Sequence, residues 1–89
     1  MTLVEVRDRG RLLAFIDKET GKFTRLPVDP GTAAGPLKDL ETWTDDGRYL
    51  FASGGGQKIS AVAEMNSLDW YMLGMMLMLD LTECEVRAD

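Results

Sequence analysis

Histidine is absent from this chain of 89 residues, and it holds a single cysteine, Cys84. The first absence removes the commonest general base, the Ser-His and Cys-His nucleophile pairs and the commonest zinc ligand. The second excludes an internal disulfide and any zinc site built from several thiolates. Small secreted domains usually depend on several disulfides, so a cytoplasmic setting is the expectation. Cys84 stands between Glu83 and Glu85, whose charges oppose thiolate formation, and it reads as a structural residue, not a nucleophile.

Positive charge is also short: 10 Lys and Arg against 15 Asp and Glu leave a net charge of −5. Residues 1–25 are slightly basic, and the acid lies beyond them. Displacing counterions from phosphates needs a positive surface, so nucleic acid is not an expected partner, whereas a protein with a basic patch is. The same acid serves solubility. Long hydrophobic runs are missing as well. The uncharged stretch from Trp70 to Leu79 has 10 residues, about half of the roughly 20 that a membrane helix needs, so no membrane contact is expected. Near the start, Glu5, Arg7 and Asp8 interrupt Leu3, Val4 and Val6, which does not read as a signal peptide.

With 45% of residues hydrophobic and 28% charged, the chain is expected to fold as one domain with one core. Thr2–Arg7 alternates apolar and polar residues, and Asp8-Arg9-Gly10 supplies a turn. A second strand follows at Arg11–Asp17. Its run Leu12-Leu13-Ala14-Phe15-Ile16 is apolar on both sides, which suggests a central strand covered on both faces. Lys18-Glu19-Thr20-Gly21 turns the chain into a third strand, Lys22–Leu26. Pro27 ends it, and the Pro/Gly-containing segment Val28–Lys38 reads as a loop. Strands at Leu40–Thr44, Arg48–Ser53 and Lys58–Ala63 are expected next, joined by Asp45-Asp46-Gly47 and Gly54-Gly55-Gly56.

The last quarter changes period. Asn66 is a good N-cap with Asp69 three residues on, and Met65 and Trp70 stand where a hydrophobic staple would place them. A helix is expected from Leu68 to Leu81, with Thr82–Arg87 either its end or a last short strand. The fold class is therefore α+β: an antiparallel β-meander of about five to six short strands packed on one C-terminal α-helix.

On that helix Leu68, Met72, Met75, Met76 and Leu79 fall on one side, and Trp70, Leu73, Leu77 and Leu81 on the other. A helix on a single sheet buries one stripe, so the second apolar face needs other cover. Three answers compete: a sheet wrapped round the helix, a two-fold dimer, or a groove for another protein to which adaptable Met side chains are suited. Gly74 costs about 1 kcal/mol against Ala in a helix, which points to close approach of a neighbour on the Trp70 side.

Other chemistry is thin. Asp45 with Asp46, and Asp80 with Glu83, do not match a calcium loop, so no metal or cofactor is expected. In Ser53–Ser60, Gln57 and Ile59 spoil the spacing of a phosphate loop. Arg7, Arg9 and Arg11 crowd one turn, where they could grip an acidic group or simply be solvated. Trp43 and Tyr49 flank the Asp45-Asp46-Gly47 turn as aromatic anchors.

The resulting expectation is a non-enzymatic protein-binding module. Its partner contacts are Glu41, Trp43, Asp45, Asp46 and Tyr49, and self-association runs through Met72, Met75, Met76 and Leu79. In size, acidity and want of catalytic residues the chain resembles the small inhibitors and adaptors that phages encode, anti-CRISPR proteins among them. A homo-oligomeric structural or assembly subunit, and a small enzyme with a carboxylate site between subunits, are the other classes left open.

Overall fold

A computed structural model describes residues 1–27, 29, 34–44, 50–51, 58–59 and 62–87. In chain order the elements are β1 (Thr2–Asp8), β2 (Arg11–Asp17), β3 (Phe23–Arg25), α1 (Ala34–Thr44), β4 (Leu50–Phe51), β5 (Lys58–Ile59), a 3-10 turn (Val62–Glu64), α2 (Ser67–Leu77) and β6 (Asp80–Glu85). The fold is α+β, with an antiparallel sheet in the order β3-β2-β1-β6.

The first hairpin follows from its turn. Arg9 and Gly10 both take positive φ, 52° and 83°, which is what a two-residue hairpin loop with right-handed strand twist requires. Asp8 then pairs with Arg11. The second turn is held by Asp17, whose carboxylate accepts from the Glu19 and Thr20 amides at 2.9 and 3.3 Å. Its backbone exchanges hydrogen bonds with Gly21 and Lys22.

The apolar run of β2 has a different cause from the expected two-sided cover. Val6 pairs with Ala14 while Arg7 pairs with Leu12, so Leu13 is an extra residue opposite the step from Val6 to Arg7. This bulge turns two consecutive side chains, Leu13 and Ala14, into the core, both fully buried. Leu12 and Phe15 are only half-buried. Their partners Arg7 and Glu5 share the outer face of the sheet with them.

The other face carries the core. Val4, Val6, Ile16 and Leu81 of the sheet cluster with Leu37 and Leu40 of α1, Val62 of the 3-10 turn, Trp70 and Leu73 of α2, and Met65 and Leu79 between elements.

Four sequence expectations are corrected. The main sheet has four strands, not five or six, since β4 and β5 form a separate two-stranded pair. The segment read as a loop at Val28–Lys38 and a strand at Leu40–Thr44 is helical from Ala34 to Thr44. Pro36 misled there: it sits in the first turn, where its missing N–H has no acceptor to lose. Within the expected strand Lys58–Ala63, Lys58–Ile59 is strand, and Val62 and Ala63 belong instead to the 3-10 turn. Finally, the helix expected from Leu68 to Leu81 is found near the C-terminal end, at Ser67–Leu77, but stops short of Leu81 and is not the last element, because β6 follows it and pairs with β1 along its whole length. The expected turns at Asp45-Asp46-Gly47 and Gly54-Gly55-Gly56 lie outside the described residues.

Candidate functional site

Both ends of α2 are fixed by local chemistry. At the start, the Asn66 side chain accepts from the Asp69 amide at 2.9 Å, and the Asp69 carboxylate accepts from the Asn66 amide at 3.1 Å. This reciprocal capping box satisfies two otherwise orphaned donors. Met65 and Trp70, placed for the staple, are both buried. At the far end Met78 takes the left-handed conformation, φ 58°. Its N–H reaches the Met75 carbonyl at 3.3 Å, and the Leu79 N–H reaches the Gly74 carbonyl at 2.8 Å. This pair of bonds is the Schellman pattern that reverses a helix, here built without the usual glycine.

The reversal drops the chain straight into β6, packed close against the helix. Leu79 O and Leu81 N stand 2.5 and 3.2 Å from where a Cβ on Gly74 would lie. Gly74 thus marks a close backbone approach on the Trp70 side, as its cost in a helix suggested. Lys18 and Ser67 pin the same assembly from outside, donating to the two carboxylate oxygens of Glu83 at 2.7 and 3.0 Å.

With Trp70, Leu73 and Gly74 turned inward, the opposite face of α2 is left open. Leu68, Tyr71, Met72, Met75 and Met76 are 66, 60, 57, 61 and 45% exposed, and Met78 after the helix is 86% exposed. At 100° per residue the five helical positions fill an unbroken arc of about 140° that includes no charged side chain. The sheet therefore does not wrap the helix. An open depression of about 380 Å³ adjoins the arc, between Tyr71, Met75 and Met78 on one side and residues 79–82 on the other.

The residues expected to self-associate are brought together in part. Met72, Met75 and Met76 lie on this face, but Leu79 does not: it follows the Met78 cap and is 6% exposed, in the core. Tyr71 and Met78, also exposed here, were not among the expected residues. Tyr71 sits at the border of the two stripes on a helical wheel, and Met78 was counted as helix interior.

The expected acidic and aromatic surface is less complete. The Glu41 carboxylate pairs with the Arg25 guanidinium at 3.1 Å, tying α1 to β3. Trp43 falls in the last turn of α1, and its side chain, like Asp45, Asp46 and Tyr49, lies outside the described residues. The Arg7 guanidinium folds back onto Glu5 and the Gly10 carbonyl, so it is not held out as a grip at the hairpin tip.

Cys84 is half-buried, facing Leu3 across the sheet. Its thiol pKa is raised by desolvation and then by the Glu5 carboxylate, with Arg7 opposing. Among the described residues no three His, Cys, Asp or Glu side chains stand together as a metal site. No described helix is long and apolar enough to cross a membrane. Comparison with protein-family models, curated proteins and solved structures finds no match for this chain.

Proposed function

We propose that this chain is a non-enzymatic, protein-binding module that makes its contact through the open face of α2. The observation that carries this reading is the uncharged arc of Leu68, Tyr71, Met72, Met75 and Met76, continued by Met78. Together these side chains hold on the order of 600 Å² in the open, at the upper end of the largest patch on an ordinary monomer. Unbranched methionine side chains adjust to an opposing surface at little cost, which suits a contact face.

The contact surface accordingly moves from the acidic and aromatic residues singled out in the sequence to the helix. The test is site-specific photo-crosslinking in cells expressing the chain, with a diazirine-bearing amino acid at position 72. A protein adduct that disappears when Met75→Glu is added supports the reading. Reaction with water alone, with no protein adduct at any irradiation time, overturns it.

A further inference from the structure

We infer that the occupant of the α2 face is a second copy of this chain, the two helices packing across a two-fold axis. The inference rests on the preceding reading of the face as a contact surface and names its partner.

Charge selects the partner. The chain carries −5, so two copies repel wherever their acidic surfaces meet, and a stable self-contact must be made by a region without charge. The arc from Leu68 to Met76 is such a region. A basic partner would instead seek carboxylates, and the arc itself offers none: Asp69 beside it is held in the capping box, and Asp80 stands across the depression. Under a two-fold operation a patch meets itself, so Met, Leu and Tyr oppose Met, Leu and Tyr with no like-charge pair.

Area agrees. The roughly 600 Å² open on each copy matches the lower bound of what specific interfaces take from each partner, about 600–1,000 Å². The depression beside Tyr71, Met75 and Met78 gives the opposing side chains a place to enter, so the two surfaces can interdigitate.

Charge opposes joining two sheets at the β6 edge. That strand carries Asp80, Glu83 and Glu85, and a two-fold antiparallel β6 pairing would crowd the carboxylates of both copies along one short seam.

Sedimentation equilibrium from about 1 to 200 µM tests this, because an interface at the small end of the range is expected to fall in the micromolar class. The mass should rise from 9.9 kDa toward twice that value. Met72→Glu and Met75→Glu should each shift the transition at least tenfold upward in concentration with an unchanged far-UV spectrum. An equal mixture of M75E with M75K should recover the dimer. A strict monomer across the range overturns the second-copy assignment. If the crosslinking above still yields an adduct with a different protein, the module reading survives; if it yields none, both fall. A dimer indifferent to Met72→Glu and Met75→Glu also overturns the assignment.

Discussion

Gly74 and Leu79 meet twice: the Leu79 N–H donates to the Gly74 carbonyl at 2.8 Å, and the Leu79 carbonyl oxygen stands 2.5 Å from where a Cβ on Gly74 would lie. The second contact decides the sign of a substitution that helix propensity alone would get wrong. Gly74→Ala gains about 1 kcal/mol in a free helix. Here it drives a methyl into a backbone oxygen anchored by β6, an overpacking that costs about 1–3 kcal/mol or more because no flexible side chain can yield. The net expectation is a loss of about 1–2 kcal/mol and a melting temperature several degrees lower in a thermal scan. A stabilised G74A variant would show that β6 does not pack where described.

The same helix end contains a residue that glycine should improve. Met78 holds φ 58°, a conformation that costs an L side chain roughly 1 kcal/mol or more. Its side chain is 86% exposed, so little packing is lost on removal. Met78→Gly should therefore stabilise the monomer by about 0.5–1 kcal/mol in urea titration. Because Met78 also borders the α2 face, the same variant should weaken self-association, and this opposition separates the two roles.

How much of this was legible in sequence follows local chemistry. The first hairpin declared itself through period-two alternation and Gly10, and the start of α2 through Asn66 and Asp69. The end of α2 was hidden because Met78 makes the left-handed cap without glycine. Leu79 and Leu81, moreover, fit a helical stripe as readily as a strand. The same ambiguity put Leu79 among the surface residues, whereas Met72, Met75 and Met76, all within the helix, do share one exposed face. The bulge at Leu13 was invisible because it needs the partner strand, and two core residues in sequence read as cover on both faces. α1 was missed because Leu37 and Leu40 provide barely one period, next to a Gly35-Pro36 pair that signals a turn.

Glu83 joins three elements, taking Lys18 on one oxygen and Ser67 on the other. The Lys18 and Glu83 side chains are 16 and 20% exposed, so the pair is screened less than a surface ion pair. Glu83→Ala should cost about 1–2 kcal/mol, since it leaves the Lys18 ammonium half-covered without its acceptor. A double-mutant cycle with Lys18→Ala should return a coupling on the order of 1 kcal/mol, most of it surviving added salt. A coupling near zero at low salt would mean that Glu83 does not hold the turn after β2 to β6.

Glu85 provides the pH dependence. Its carboxylate accepts from the Thr2 hydroxyl at 2.9 Å. This bond first, and then the Met1 ammonium, hold its pKa below the ordinary 4.5. A folded-state value below the unfolded one means that the unfolded chain binds the proton more readily. The contribution is therefore complete at neutral pH and is lost as the pH falls through the depressed value. Thr2→Val should move the Glu85 titration upward in an NMR pH series and flatten the acid limb of the stability curve. An unmoved Glu85 titration would show that the hydroxyl is not the partner in solution.

Leu79 and Met75 were grouped by sequence, and the fold separates them, so matched truncations should behave in opposite ways. Leu79 is 6% exposed within the core and Met75 is 61% exposed on the open arc. Leu79→Ala removes buried methyls and leaves a cavity, at a cost of about 2–4 kcal/mol in a domain whose whole stability is only about 5–15 kcal/mol. Met75→Ala sits in a helix where alanine is the best former, so monomer stability should stay within about 0.5 kcal/mol of the parent. Association should respond in reverse: M75A weakens the dimer directly, whereas L79A, measured at a temperature where it remains folded, leaves the open face of α2 intact. Urea titration and sedimentation on the same two samples read both quantities. If M75A unfolded the chain while L79A left it untouched, α2 would be rotated from the placement described, and the surface assigned to the second copy would be the core.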